Sequence, residues 1–212
     1  MASDPKPTPE NTISIQLSEV VKPQTFPRPL KFFVEDVIDR SGNPRPQLVF
    51  QGRGGIFIDR QPTEIVRQAL TDSLSGAGLL AADRASANFV LTVYLFHFGL
   101  SSGSGGEYYG KVDLNVVVKD PAAGKSETIT ALGTSIQGLA FRKKTRMKNV
   151  AENIEEALQA ALRNFLRSTK LRDAVAAGDA GPAGASEGSP RNLLSGLREG
   201  IINSLNARAA GL

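Results

Sequence analysis

A chain of 212 residues with 41% hydrophobic content can bury a core, and its length favours one domain with extensions or two small ones. It has no Cys, no Trp and one His, which removes disulfides, thiol nucleophiles, iron–sulfur clusters, Cys-ligated zinc and every multi-His metal site, and leaves a single imidazole base. Lys+Arg number 25 against 21 Asp+Glu, an excess too small to mark a nucleic-acid binder, and no apolar run is long enough to cross a membrane as a helix.

Residues 1–12 are polar, with Pro5, Pro7 and Pro9 and no secretory apolar segment, and read as an extended tether. Ile13, Ile15 and Leu17 alternate as a short edge strand, after which Pro23, Pro27 and Pro29 forbid a regular element. Leu30–Ile38 is β-branched and aromatic and predicts a strand; Asp39–Pro46 is loop. Leu48–Phe50 and Ile56–Ile58 are two short apolar pieces around Gly52-Arg-Gly-Gly55.

Pro62 stands in a helical first turn, followed by Ile65, Val66, Ala69, Leu70 and Leu74 at spacings of three and four, and Gly76 and Gly78 close the helix at 62–76. Asn88–Gly99 is apolar on both faces and predicts a central strand covered on two sides, with His97 on the face of Phe89, Leu91, Val93 and Leu95. A Gly/Ser tip leads to Tyr108–Lys119, in which Val112, Leu114, Val116 and Val118 alternate with Lys111, Asp113 and Asn115. Asp120–Lys125 is a turn, and Glu127–Gly138 is the third strand of an antiparallel meander.

Asn149 is placed to cap a helix over 150–170 with the stripe Val150, Ile154, Leu158, Ala161, Leu162 and Phe165. Ala/Gly-rich sequence follows, and Ser189-Pro190 restarts a helix over 190–206 whose stripe is Leu194, Leu197, Ile201 and Leu205. Gly196 and Gly200 weaken that helix, so it needs a surface to pack on. The expected fold is α+β and two-layer: an antiparallel sheet of about four strands with two helices on one face, plus a C-terminal amphipathic helix on a linker. The expected divisions are a Pro-rich tether over 1–29, the α+β domain over 30–173, a linker over 174–188 and the terminal helix over 189–212.

Local phrases within this order resemble the YajG-like family of bacterial envelope lipoproteins. They are Gly54-Gly-Ile-Phe-Ile-Asp-Arg60 running into Pro62–Leu70, then Ala87–Val93, the turn Lys119–Lys125, and Asn153–Leu162. The similarity covers about 30–172 and lies in patterned hydrophobics and turns. It implies a periplasm-facing domain tethered to the outer membrane through a lipidated Cys, with no enzymatic activity and no cofactor. The chain departs from the family in lacking the signal peptide and lipobox Cys and in carrying an extra terminal helix. The expectation is that Met1 stands where the lipid-bearing Cys would be, so that Ala2-Ser3-Asp4 begins the mature tether.

Each candidate site has two readings. Arg142, Lys143, Lys144, Arg146 and Lys148 form an acid-free run that serves either as a docking patch for anionic headgroups, wall polymers or an acidic protein, or as a solvated loop. Without it, 20 Lys+Arg remain against 21 acids, so the rest of the chain is near neutral. Tyr108 and Tyr109 at the hairpin tip offer aromatic contacts to a partner or simply pack at the strand start. Leu194, Leu197, Ile201 and Leu205 dock into a neighbouring subunit, lie on a membrane surface or fold back on their own domain. His97 lacks a G-x-S-x-G nucleophile and further metal ligands and reads as structural; Glu35, Asp36 and Asp39 read as surface carboxylates, with Glu35 and Asp36 on opposite strand faces. Gly52–Gly55 lacks the Walker ending and reads as a backbone turn needing positive φ.

No catalytic, cofactor or metal residues are assigned. The expected function is that of a non-enzymatic scaffold or assembly subunit in an envelope complex, self-associating into an oligomer or ring, with no nucleic-acid partner. The alternative is a small module carrying a lipid or glycan in an apolar groove.

Overall fold

The computed structural model describes residues 5–17, 19–26, 29–51, 55–139 and 147–179, all within one compact unit, Met1–Asp179. The basic run from Arg142 to Arg146, Gly52–Gly54, and the linker and terminal helix from residue 180 onward lie outside these residues.

The chain is α+β. In order it forms β1 (Thr12–Ile13), β2 (Phe32–Asp39), β3 (Leu48–Phe50), β4 (Ile56–Ile58), α1 (Pro62–Gly76), β5 (Phe89–Ser102), β6 (Tyr108–Asp120), β7 (Lys125–Thr134), α2 (Met147–Leu166) and α3 (Thr169–Asp179). A four-stranded sheet runs β2-β5-β6-β7 and a small one β1-β4-β3. The meander β5-β6-β7 is antiparallel as its short turns require, but β2 pairs with β5 in parallel. Helix α1 makes the crossover that a parallel neighbour needs, so the main sheet is mixed.

One face of the main sheet is the core side. Val112, Leu114, Val116 and Val118 of β6 alternate inward, joined by Ile129 and Ala131 of β7 and Leu91, Val93 and Leu95 of β5. Against them α2 presents Val150, Ile154, Ala157, Leu158, Ala161, Leu162 and Phe165, all at most 1% exposed. Each such large side chain contributes roughly 1.5–3 kcal/mol on leaving water. The approach is close because Gly110 and Gly133 lie beneath the helix backbone: a Cβ on Gly133 would overlap the Ala157 carbonyl, and one on Gly110 the Asn153 carbonyl. A buried polar link fixes the register. Ser135 Oγ donates to Asn153 Oδ1 at 2.7 Å and accepts the Gly110 amide at 2.9 Å.

Helix α2 begins at Met147, so Asn149 stands inside the first turn and is not its cap; its carbonyl accepts the Asn153 amide side chain at 3.2 Å. The helix ends at Leu166, four residues short of the expected end. Ser168 Oγ accepts the Leu171 amide at 3.0 Å and so caps α3, which takes in the start of the Ala/Gly-rich segment and buries Leu171 and Val175. Gln24 closes the junction: its amide donates to the Leu166 carbonyl at 3.2 Å and its side chain to the Ser168 carbonyl at 3.1 Å.

The segment read as a tether contributes to the core. Ile13, Ile15 and Val21 are buried, β1 pairs in parallel with β4, and Arg60 donates to the Ile15 carbonyl at 2.9 Å.

Candidate functional site

The second half of β5 departs from strict alternation. Leu95 pairs with Leu114, yet His97 pairs with Asp113 and Phe98 with Val112, because Phe96 is an extra residue in β5. Such a bulge flips every later side chain to the opposite face. Phe98 and Leu100 therefore turn inward and are buried, and Phe96 is 46% exposed. His97 lies on the outer face opposite Asp113, not on the Leu95 face that alternation predicts. The sequence carried a signal of this: without the bulge, the imidazole would sit in the core while Phe96, Phe98 and Leu100 faced water.

The outer face of β5 is also less covered than its two-sided apolarity suggests. Val90 is buried, but Thr92, Tyr94 and Asn115 are half-buried.

Around His97 the charges are close. Lys111 Nζ reaches Asp113 Oδ2 at 2.9 Å, whereas Asp113 Oδ1 and His97 Nε2 are buried with no hydrogen-bond partner. Burial, and then the Lys111 charge, hold the imidazole below its ordinary value, with Asp113 opposing in part. His97 is therefore neutral near pH 7.

Beyond the end of β2 the bulged part of β5 is flanked by β3, whose Val49 backbone lies against Gly99, a residue at φ 146° with no room for a Cβ. Between this segment, the loop after β2 and the β5 end lies a cleft of about 640 Å³. Its lining mixes the hydroxyls of Ser41, Ser101 and Ser102, the amides of Asn43 and Gln51, and the rings of Phe50, Phe96 and Tyr108, with His97 in its wall. Leu48, Val49, Leu95, Phe98 and Leu100 complete the wall, so polar groups interrupt a largely apolar lining. The sequence did not reveal this site, because loop 39–51 meets β5 only through the tertiary fold.

The other candidates take plain positions. Tyr108 packs edge-on against Phe50, centroids 4.9 Å apart, and Tyr109 donates to Glu107 at 2.8 Å beside Gly103 and Gly138. That bond and the Glu107 charge hold the Tyr109 phenol above its ordinary value. Lys148 sits on α2 with its ammonium 3.5 Å from Glu152, both well exposed. Arg142, Lys143, Lys144, Arg146, Leu194, Leu197, Ile201 and Leu205 lie outside the described residues. In β2 a bulge between Val34 and Asp36 leaves both Glu35 and Asp36 exposed, overturning their assignment to opposite faces. Glu35 pairs with Arg84 at 2.6 Å and Asp36 with Arg67 at 2.8 Å, which makes them surface ion pairs. Gly55 has φ 62°, the backbone need expected of that loop. Among the described residues no group of three or more His, Asp or Glu is arranged to hold a metal, and no helix is long and apolar enough to cross a membrane.

No family model matches the chain, and no curated protein does. Solved structures do. Protein XCC0632 from Xanthomonas campestris, of family DUF330, is similar at a TM-score of 0.58 and 14% identity, over 78% of this chain and 98% of that one. The two share a fold. Looser likenesses are to the PelC dodecamer from Paraburkholderia phytofirmans (TM-score 0.37, 16% identity, 67% of this chain and 92% of that one) and to a minor lipoprotein from Acinetobacter baumannii (0.33, 11%, 71% and 95%).

Proposed function

We propose that this chain is the periplasm-facing domain of a YajG-like outer-membrane lipoprotein, acting without catalysis as a scaffold or assembly subunit of an envelope complex. The observation that carries the reading is an exposed apolar pair beside the β7 edge of the main sheet. On the β2 side, Arg67 donates to the Val34 carbonyl at 3.2 Å, and Phe32 exchanges backbone bonds with Leu79 and Ala81. On the β7 side, Asn164 donates to the Leu132 carbonyl at 2.7 Å and Glu156 accepts the Ile136 amide at 3.1 Å, but the Leu132 and Ile136 side chains are 55% and 85% exposed. Neighbouring exposed apolar side chains of this size are a surface for another chain. The phrases shared with the lipoprotein family support the envelope assignment, and the XCC0632 fold supports the architecture.

The terminal helix and the basic run from Arg142 to Lys148 supply the remaining contact surfaces in this reading. Light scattering of the full chain and of a chain ending at Gly188 tests it. The full chain is expected to form an oligomer and the shortened chain to lose it. Two monomers at high micromolar concentration would refute self-assembly through the tail.

A further inference from the structure

We propose that the cleft beside the β5 bulge binds an uncharged saccharide. This goes beyond the assembly reading and does not depend on it. The cleft volume of about 640 Å³ lies in the range of small-molecule sites, which is roughly 300–1,000 Å³.

The lining selects the chemistry. Asp39 is the one carboxylate among its described lining residues, and Asp39 Oδ1 already accepts the Ser41 amide at 2.8 Å. No Lys or Arg is among its described lining residues, so these offer a phosphate or carboxylate no counter-charge. Hydroxyl and amide groups interrupt the apolar wall, so an acyl chain would bury them unpaired at a cost of about 1–3 kcal/mol each. A polyhydroxylated ring meets both demands. Its hydroxyls donate to and accept from Ser, Asn, Gln and neutral imidazole groups, and its C–H face lies on aromatic rings.

The site also offers accessible polar groups. The Ser101, Ser102 and Gln51 side chains are half or fully exposed and can exchange water for the hydroxyls of a ligand. His97, in the same wall, keeps a buried Nε2 without a hydrogen-bond partner, an unpaired polar atom of a kind that folded proteins seldom leave. The bulge at Phe96 brings these groups together: it swings His97 out of the core and leaves the Phe96 ring exposed at the same wall.

The single His makes the test direct, because its imidazole NMR signal is unique in the chain. The full chain, labelled with 15N and 13C, is titrated with maltotriose, with triacetylchitotriose, with decanoate and with inorganic phosphate. The expected result is a saturable shift of the His97 imidazole signal with at least one trisaccharide. Replacing Ser101 and Ser102 together by Val is expected to weaken that binding at least about tenfold. Gln51→Ala, at an exposed position, is expected to weaken it severalfold and serves if the Val variant does not fold. No saturable shift at concentrations well above a millimolar Kd overturns the proposal. So does a response to decanoate or phosphate alone, or saccharide binding that neither variant changes.

Discussion

His97 shows how one side chain can report on its surroundings. Burial and Lys111 penalise its protonated form, so the unfolded chain takes up this proton at a higher pH than the folded one. The stability tied to the neutral imidazole is complete above the ordinary value of 6.5 and is lost as pH falls from there through the folded-state value. Glu155, whose carboxyl is held above its ordinary value mainly by burial, acts with the opposite sign: its contribution is lost as pH rises through its own range. Comparison with His97→Gln separates the two, since Glu155 is common to both proteins. The urea midpoint of the wild type is expected to fall more steeply than that of the variant between about pH 7.5 and 5.5. Equal pH slopes would contradict the account.

At the scale of elements, the bulge in β5 is the feature whose removal is most informative. Deleting Phe96, the extra residue, restores plain alternation while Phe98 and Leu100, 8% and 9% exposed, keep their inward face and their partners on β6. The expected loss by chemical denaturation is therefore well under about 3 kcal/mol, the cost of turning two large side chains outward at roughly 1.5–3 kcal/mol each. A loss of about 3 kcal/mol or more would mean that the strand had slipped in register and exposed them. The amphipathic helix 62–76 and the β5-β6-β7 meander were legible in the sequence because each is local: 3.6-residue and two-residue periods bounded by Pro, Gly and Asp. The β2–β5 pairing and the end of α2 at Leu166 were not, since parallel pairing links residues far apart and a cap made by Ser168 with Gln24 joins two distant segments.

For the molecule as a whole, the N-terminal residues are part of the cooperative unit. Ile15 is fully buried, Arg60 holds its carbonyl, and Gln16 donates to Glu155 at 3.1 Å. Ile15→Ala is expected to cost about 3 kcal/mol, which lowers Tm by roughly 6–12 °C in a chain of this size. Calorimetry showing a loss below about 1 kcal/mol would mean that this strand is only loosely attached. The local positive run, by contrast, was readable from charge alone, because the rest of the chain is near neutral.

By itself the sequence determined the α+β class, the main helices, the meander and the exclusion of cysteine and multi-histidine chemistry, all of which follow from composition and short-range periodicity. Only the tertiary structure decided which way His97 faces, that the N-terminal segment joins the core, and that loop 39–51 meets the β5 end to form a cleft. Each of these depends on contacts between residues distant in the chain: the bulge is set by how β5 registers on β6, and the cleft by where the small sheet packs.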